Sequence, residues 1–184
     1  MNKIIIFPTD TVYGIGTHFL NQEGINKIYQ IKGREFNKPL AILCKDIKDL
    51  NKYAKITKDA KKLSKAFHPG ALTIILKSKK RYFKESNEKT ISLRIPNHPK
   101  ALELINQYGP LKTTSVNQSH EPPLNDYLKI STIYKTLVDE IYENKLPLSK
   151  ISSTVIDISK RPYQIIREGE IKKEDMLKII NNKF

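Results

Sequence analysis

The chain has 184 residues and a net charge of +14, a length that suits one domain with a real core. A single cysteine, Cys44, excludes an internal disulfide framework, four scattered histidines give no zinc-like pairing, and neither a membrane span of ~18 apolar residues nor a signal peptide can be read, so a cytoplasmic protein is expected. The charge points to an anionic partner, with the abundance of lysine, asparagine and isoleucine along the whole chain as the competing explanation.

KIIIF reads as a buried first strand, ended by Pro8, which cannot donate to a ladder. Residues 22–31 carry apolar residues near helical spacing, and Gly33 suits the stop. LAILC, 40–44, reads as a second buried strand, with Cys44 as a small hydrophobe inside it. Two helical stretches follow, near 47–53 and 57–67, closed by the turn His68-Pro69-Gly70.

The runs ALTIILK (71–77) and TISLRIP (90–96) are β-branched and predict neighbouring strands, with the block KSKKRYFK as a charged loop between them. PKALELINQY (99–108) is a helix with proline at its start, and GPLKTTSVN returns to a strand and a polar loop. A helix near 126–134 and a strand near 138–142 come next. STVIDI (153–158) and YQIIREG (163–169) are the last strands, and EIKKEDMLKII ends the chain as a helix. Strands and helices at uneven spacing favour a mixed α/β sheet over a regular βαβ repeat.

The phosphate loop GxxxxGK[ST], the third glycine of a dinucleotide fingerprint, the G-x-S-x-G elbow and a paired-carboxylate motif are all missing. What recurs is a pattern at strand ends, where PTDTVYG, KGREFNKPL, RIP, TTSVN, SSTV and REG each put hydroxyls, an amide or a cation where strand meets loop. Taken singly, each is equally a segment that satisfies its own turn. Lys32 and Arg34 can converge only if the helix has ended at Gly33, and with Lys38 they would make a cradle for a triphosphate; a solvated basic turn is the alternative. In a chain of five arginines, Arg34, Arg94 and Arg167 each sit where a planar bidentate donor is useful, whereas Arg81 and Arg161 do not.

Seven segments in order, PTDTVYGIG, KGREFNKPL, HPGALTIIL, SLRIPNHP, GPLKTTSVNQS, SSTVID and IIREG, resemble the threonylcarbamoyl-AMP synthase family of the YrdC/TsaC type over nearly the whole chain. The resemblance implies a YrdC-like twisted mixed sheet with helices and a concave basic face. It implies a single domain over 1–184, without the additional C-terminal domain of longer relatives. The implied reaction joins L-threonine, bicarbonate or CO2 and ATP into threonylcarbamoyl-AMP and pyrophosphate. Mg2+ would accompany the ATP, with no organic cofactor and no metal held by protein side chains. The product would pass to a separate tRNA threonylcarbamoyl transferase complex, with direct tRNA contact left open.

By the same likeness Thr9, Thr11, Tyr13, Arg94 and Ser153 would surround threonine and its carbamate. Lys32, Arg34, Lys38, Thr73, Ser115, Asn117, Thr154 and Arg167 would bind the nucleotide, with Lys32 and Arg34 acting on the phosphates in catalysis. Val116, His120 and Ala71 depart from the family's usual residues around these segments. Two rivals stand beside this reading. A basic module that binds double-stranded RNA or tRNA without turnover would use phosphate contacts alone. A carbamoyl-adenylating domain like that of hydrogenase maturation factors would belong to a much longer protein.

Overall fold

Alternation of apolar and polar side chains along the strands decides how this chain is layered. The computed structural model describes residues 2–36 and 38–180; Asn37, inside KGREFNKPL, lies outside them. The order is β1 (Ile5–Phe7), β2 (Gly14–His18), α1 (Gln22–Lys32), β3 (Ala41–Leu43), a 3-10 turn (Ile47–Leu50), α2 (Lys58–Phe67), β4 (Leu72–Lys77), α3 (Lys80–Ser86) and β5 (Thr90–Arg94). Then come α4 (Pro99–Tyr108), β6 (Leu111–Ser115), α5 (Tyr127–Tyr134), β7 (Glu140–Ile141), β8 (Thr154–Asp157), β9 (Gln164–Arg167) and α6 (Lys173–Ile180). All the strands join one twisted sheet in the order β7-β1-β2-β6-β3-β5-β4-β8-β9. It is mixed, as the uneven spacing implied: β1–β7, β3–β5 and β4–β8 run parallel and the other pairs antiparallel.

On one face Leu72, Ile74, Leu76, Ile91, Leu93 and Ile156 are buried with Ala60 and Leu63 of α2, Tyr82 of α3 and Met176 and Ile180 of α6. Next to them Ile6 and Ile15 pack with Ile25 and Ile28 of α1 and Ile130 of α5. Each of the leucines, isoleucines and Met176 among them contributes roughly 1.5–3 kcal/mol by leaving water. On the opposite face Ile5, Phe7, Leu43 and Leu111 are covered by Ala101, Leu104 and Ile105 of α4. The rest of that second face holds the alternate residues of β4, β5 and β6, namely Thr73, Ile75, Ser92, Arg94, Thr113 and Ser115, and these line a hollow.

Helix ends follow their sequence signals. Asn21 caps α1 by accepting from the Gly24 N–H, and Gly33 ends it at φ +56°, in the left-handed region that only glycine enters cheaply. His98 caps α4, with Pro99 in its first turn.

Three elements differ from the sequence expectation. Gly14–His18 is a full strand although two glycines and a histidine give it little strand propensity. It pairs along its whole length with β6, and a Cβ on Gly14 or Gly16 would come within 2.8 or 2.6 Å of the Thr113 side chain, so the glycines are there for close approach. The stretch expected as a helix over 47–53 is a short 3-10 turn over Ile47–Leu50, started by a capping box of Asp46 and Asp49. The charged block between β4 and β5 contains α3, whose Tyr82 anchors it in the core.

Candidate functional site

The hollow on the open half of the second face has a volume of about 430 Å³, within the usual range for small-molecule sites, ~300–1,000 Å³. Its lining includes Thr9, Thr11, Tyr13, Arg34, Lys38, Thr73, Arg94, Ser115, Ser153 and Arg167. Strand ends and loops from seven separate stretches of chain therefore meet around one cavity.

Residues 8–13 leave β1 as a tight loop closed on itself. The Thr9 hydroxyl donates to the Val12 carbonyl at 2.7 Å and accepts from the backbone N–H groups of Thr11 and Val12. Having spent its proton, Thr9 can only accept across the 3.1 Å contact to the Thr11 hydroxyl, so Thr11 is the donor there. Thr11 in turn accepts from Arg94 Nη1 at 2.7 Å. Both hydroxyl protons are thus directed inward. What Thr11 can still turn to the cavity is a lone pair, which suits an N–H or O–H donor on a ligand and not an anion. Tyr13 also belongs to the lining, while its ring is buried in the α1–α5 core cluster.

Arg94, at the end of β5, is only 6 % exposed. Its Nε donates to the Gly70 carbonyl at 3.0 Å and its Nη2 to Asp10 Oδ1 at 2.6 Å. Burial lowers its pKa, and Asp10 pulls it back up. Beyond Arg94 the wall continues through Thr73 and Ser153, whose hydroxyls are 2.8 Å apart, to Arg167, which donates to the Ser153 carbonyl and hydroxyl. Gly169 permits this arm. A Cβ there would lie 2.3 Å from the Ser152 carbonyl oxygen and 2.9 Å from the Thr154 nitrogen.

Arg34 and Lys38 form the opposite end. Arg34 donates to the carbonyls of Lys38 and Pro39, and Lys38 makes an exposed ion pair with Glu35 at 3.2 Å. Burial depresses the pKa of Arg34 and of Arg167, and for Arg167 the charges of Arg94 and Arg34 add to the effect. Three guanidinium groups lining a shared hollow, with Arg167 repelled by the other two, favour an anion between them.

Lys32, Asn117 and Thr154 are not part of the lining. Lys32, on the last turn of α1 and 1 % exposed, donates to the carbonyls of Ser115 and Asn117 and to Asn117 Oδ1, at 2.6, 2.7 and 3.0 Å. It therefore braces the turn that carries Ser115. Burial first, and then the charge of Arg34, bring its ammonium down to about 8. Asn117 is held by that ammonium and by the Ser115 hydroxyl, and it donates to the carbonyls of Gln118 and Glu121, so its amide organises the turn. Thr154 neighbours Ser153 in sequence and so points to the other face, where its hydroxyl donates to the Ile171 carbonyl and accepts from the Gly169 N–H. Period-two alternation was the signal against taking Ser153 and Thr154 together.

The same alternation read backwards from Arg94 and Ser115 would have found Ser92 and Thr113, which line the hollow and were not among the expected residues. Asp10 was also missed. A carboxylate between two threonines carried no signal of its partner, which lies 84 residues away.

Comparison with known proteins places these features. Residues 1–169 match the family described as Telomere recombination, the Sua5/YciO/YrdC group. The chain is 41 % identical over 172 residues to a protein of Methanocaldococcus jannaschii named putative threonylcarbamoyl-AMP synthase, covering 92 % of this chain and 81 % of that one. It is 32 % identical to the threonylcarbamoyl-AMP synthase of Bacillus subtilis, covering 97 % of this chain and 53 % of that protein. The crystal structure of Pyrococcus abyssi Sua5 complexed with L-threonine superposes with a TM-score of 0.89 at 30 % identity, over 98 % of this chain and 54 % of that one. Escherichia coli YciO does so with a TM-score of 0.83 at 26 % identity, over 95 % and 87 %. The chain thus spans about half the length of the B. subtilis and P. abyssi relatives.

Proposed function

The chain belongs to the Sua5/YciO/YrdC family, and from that premise we propose that it is an L-threonylcarbamoyladenylate synthase, a nucleotidyltransferase acting on L-threonine, bicarbonate or CO2, and ATP. The observation that carries the proposal is the meeting of Arg34, Arg94 and Arg167 with the Thr9–Thr11 loop around one hollow. The name of the M. jannaschii relative and the threonine complex of the P. abyssi relative support the substrate.

In this reading the amino acid lies at the Arg94 end. Arg94 takes its carboxylate, and the lone pair of Thr11 accepts from its amine or hydroxyl. The amine attacks carbon dioxide to give a carbamate and a proton. A carbamate oxygen then attacks the α-phosphorus of ATP, and the bond to the β-phosphate oxygen breaks as pyrophosphate leaves. Arg34, Lys38 and Arg167 hold the phosphates and balance the charge that gathers there, which is where most of the rate enhancement of such reactions lies. Lys32 adds its charge behind the Ser115–Asn117 turn and keeps that turn in place. Magnesium arrives on the phosphates as part of the substrate, since the residues lining the hollow include no carboxylate to hold it. The product serves tRNA threonylcarbamoylation through a separate transferase complex, in the cytoplasm.

The test is pyrophosphate release from Mg–ATP, with threonine and bicarbonate each omitted in turn. Dependence on both is expected. Release that ignores either one overturns the reaction, and tight tRNA binding with no release at all would favour the RNA-binding alternative.

A further inference from the structure

Asp10 takes no part in the chemistry assigned above, yet its place in the wall is specific. Among the described residues Arg34 and Arg167 meet neutral oxygens, and Arg94 alone of the wall arginines meets a carboxylate. Asp10 Oδ1 receives two donors at once, Arg94 Nη2 at 2.6 Å and the Asn97 backbone N–H at 3.0 Å. The carbonyl of Asp10 accepts from the Ser149 N–H and that of Thr11 from the Lys150 N–H. One short stretch therefore ties together the loop after β1, the residues that follow β5 and the segment 149–150.

The effect on Arg94 can be followed hydrogen by hydrogen. A guanidinium has five N–H groups. Gly70 takes the one on Nε, Thr11 one on Nη1 and Asp10 one on Nη2, which leaves one on each terminal nitrogen. The plane of the group is fixed by partners from different segments. With the plane fixed, the directions of the two remaining N–H groups are fixed as well, and a carboxylate can accept from them.

We infer that Asp10 is a positioning residue for the amino-acid end of the hollow: its carboxylate holds the Arg94 guanidinium in the orientation that presents those two N–H groups to the carboxylate of the amino acid. This rests on the functional reading above. The competing account makes Asp10 a mere counter-charge for a buried cation, and the two accounts differ in sign. A counter-charge competes with any anion on Arg94, so its removal would tighten binding; a positioning group leaves Arg94 misdirected when removed, and binding weakens.

Binding of L-threonine and of Mg–ATP is measured separately by calorimetry for wild type, Asp10→Asn and Asp10→Ala, beside pyrophosphate release. The expected result is a loss of threonine affinity of at least about tenfold in Asp10→Ala, with ATP affinity within about twofold because its contacts lie elsewhere. Asp10→Asn, whose amide oxygen still accepts from Arg94, falls between that variant and wild type, and it carries the test alone if the alanine variant does not fold. Threonine affinity unchanged or increased in the variants overturns the inference, and so does an equal loss for both ligands. A wild type that binds no threonine overturns the functional reading itself; a wild type that binds it beside an Asp10→Asn variant that binds equally well overturns this inference alone.

Discussion

At one end of the hollow Arg94 is buried, ion-paired with Asp10 and bonded through three of its nitrogens, while at the other Arg34 rests on two backbone carbonyls and Lys38 on an exposed glutamate. The first arrangement fixes a direction and leaves little charge to spare. The second leaves charge in excess and direction loosely set. A small rigid carboxylate rewards the first kind of site, because a bidentate contact fails if the donor plane is tilted. A flexible polyphosphate rewards the second, since its oxygens find cations placed within a few ångströms. The contrast agrees with the proposed placement of the amino acid at the Arg94 end and of the nucleotide at the Arg34 end.

The largest expected effect breaks the nucleotide end. Arg34→Ala should lower the rate of pyrophosphate release by about a thousandfold, as loss of a charge-stabilising donor does in comparable sites. Its thermal midpoint should stay near that of wild type, since among the described residues the Arg34 side chain bonds to two carbonyls of its own loop. Near-normal turnover would remove Arg34 from the site.

Next in size is a test of what a buried lysine is for. Lys112 and Lys32 are both almost fully buried, but Lys112 donates to Glu88 and Tyr82, whereas Lys32 meets only neutral oxygens. Lys112→Met leaves the Glu88 carboxylate with the Tyr82 hydroxyl but no counter-charge and should cost about 3 kcal/mol of stability in a denaturant titration, with the surviving folded fraction still active. Loss of activity in the fully folded variant would tie Lys112 to the hollow.

A smaller effect is expected at Gly169. Gly169→Ala forces the backbone around Ser152–Thr154 to move, because the new Cβ would meet backbone atoms and not the yielding end of a side chain. The cost to stability should be about 1–2 kcal/mol. The rate should fall as well, because Ser153 and Arg167 are carried on the displaced backbone. An unchanged rate would mean that this arm tolerates displacement and contributes less than the geometry implies.

Much of this architecture could be read from the sequence, and the exceptions share a cause. β4 and β5 were legible because Leu72, Ile74, Leu76, Ile91 and Leu93 alternate with residues of the other face. β2 was not, because its reason for being a strand is the closeness of Thr113, more than ninety residues on. The candidate site divides in the same way. Thr9, Thr11, Arg34, Arg94, Ser153 and Arg167 reach the hollow from strand ends, where local sequence announces a change of structure. Lys32 and Thr154 sit at equally announced positions, yet helix and strand periodicity turn them to other partners. Asp10 is the converse case, a residue with no local signal whose importance comes from what it meets in space.

The smallest effect concerns Lys32 and sharpens the comparison from the side of charge. Burial and Arg34 bring its pKa from the usual 10.5 to about 8. Below pH 8 the folded and unfolded chains both keep the proton, and burying the charge costs the fold a constant amount. Between about 8 and 10.5 the unfolded chain keeps the proton while the folded chain releases it, so unfolding becomes harder as the pH rises. Relative to Lys32→Met, in which other titrations cancel, wild type should gain about 1 kcal/mol between pH 8 and 9. Under the proposed function, nucleotide affinity should move the other way over the same interval, because the ammonium that strains the fold also adds its charge behind the Ser115–Asn117 turn. A Lys32 that shows no difference from the methionine variant in either measurement would be an ordinary buried brace, and the positive charge offered to the phosphates would then rest on Arg34, Lys38 and Arg167 alone.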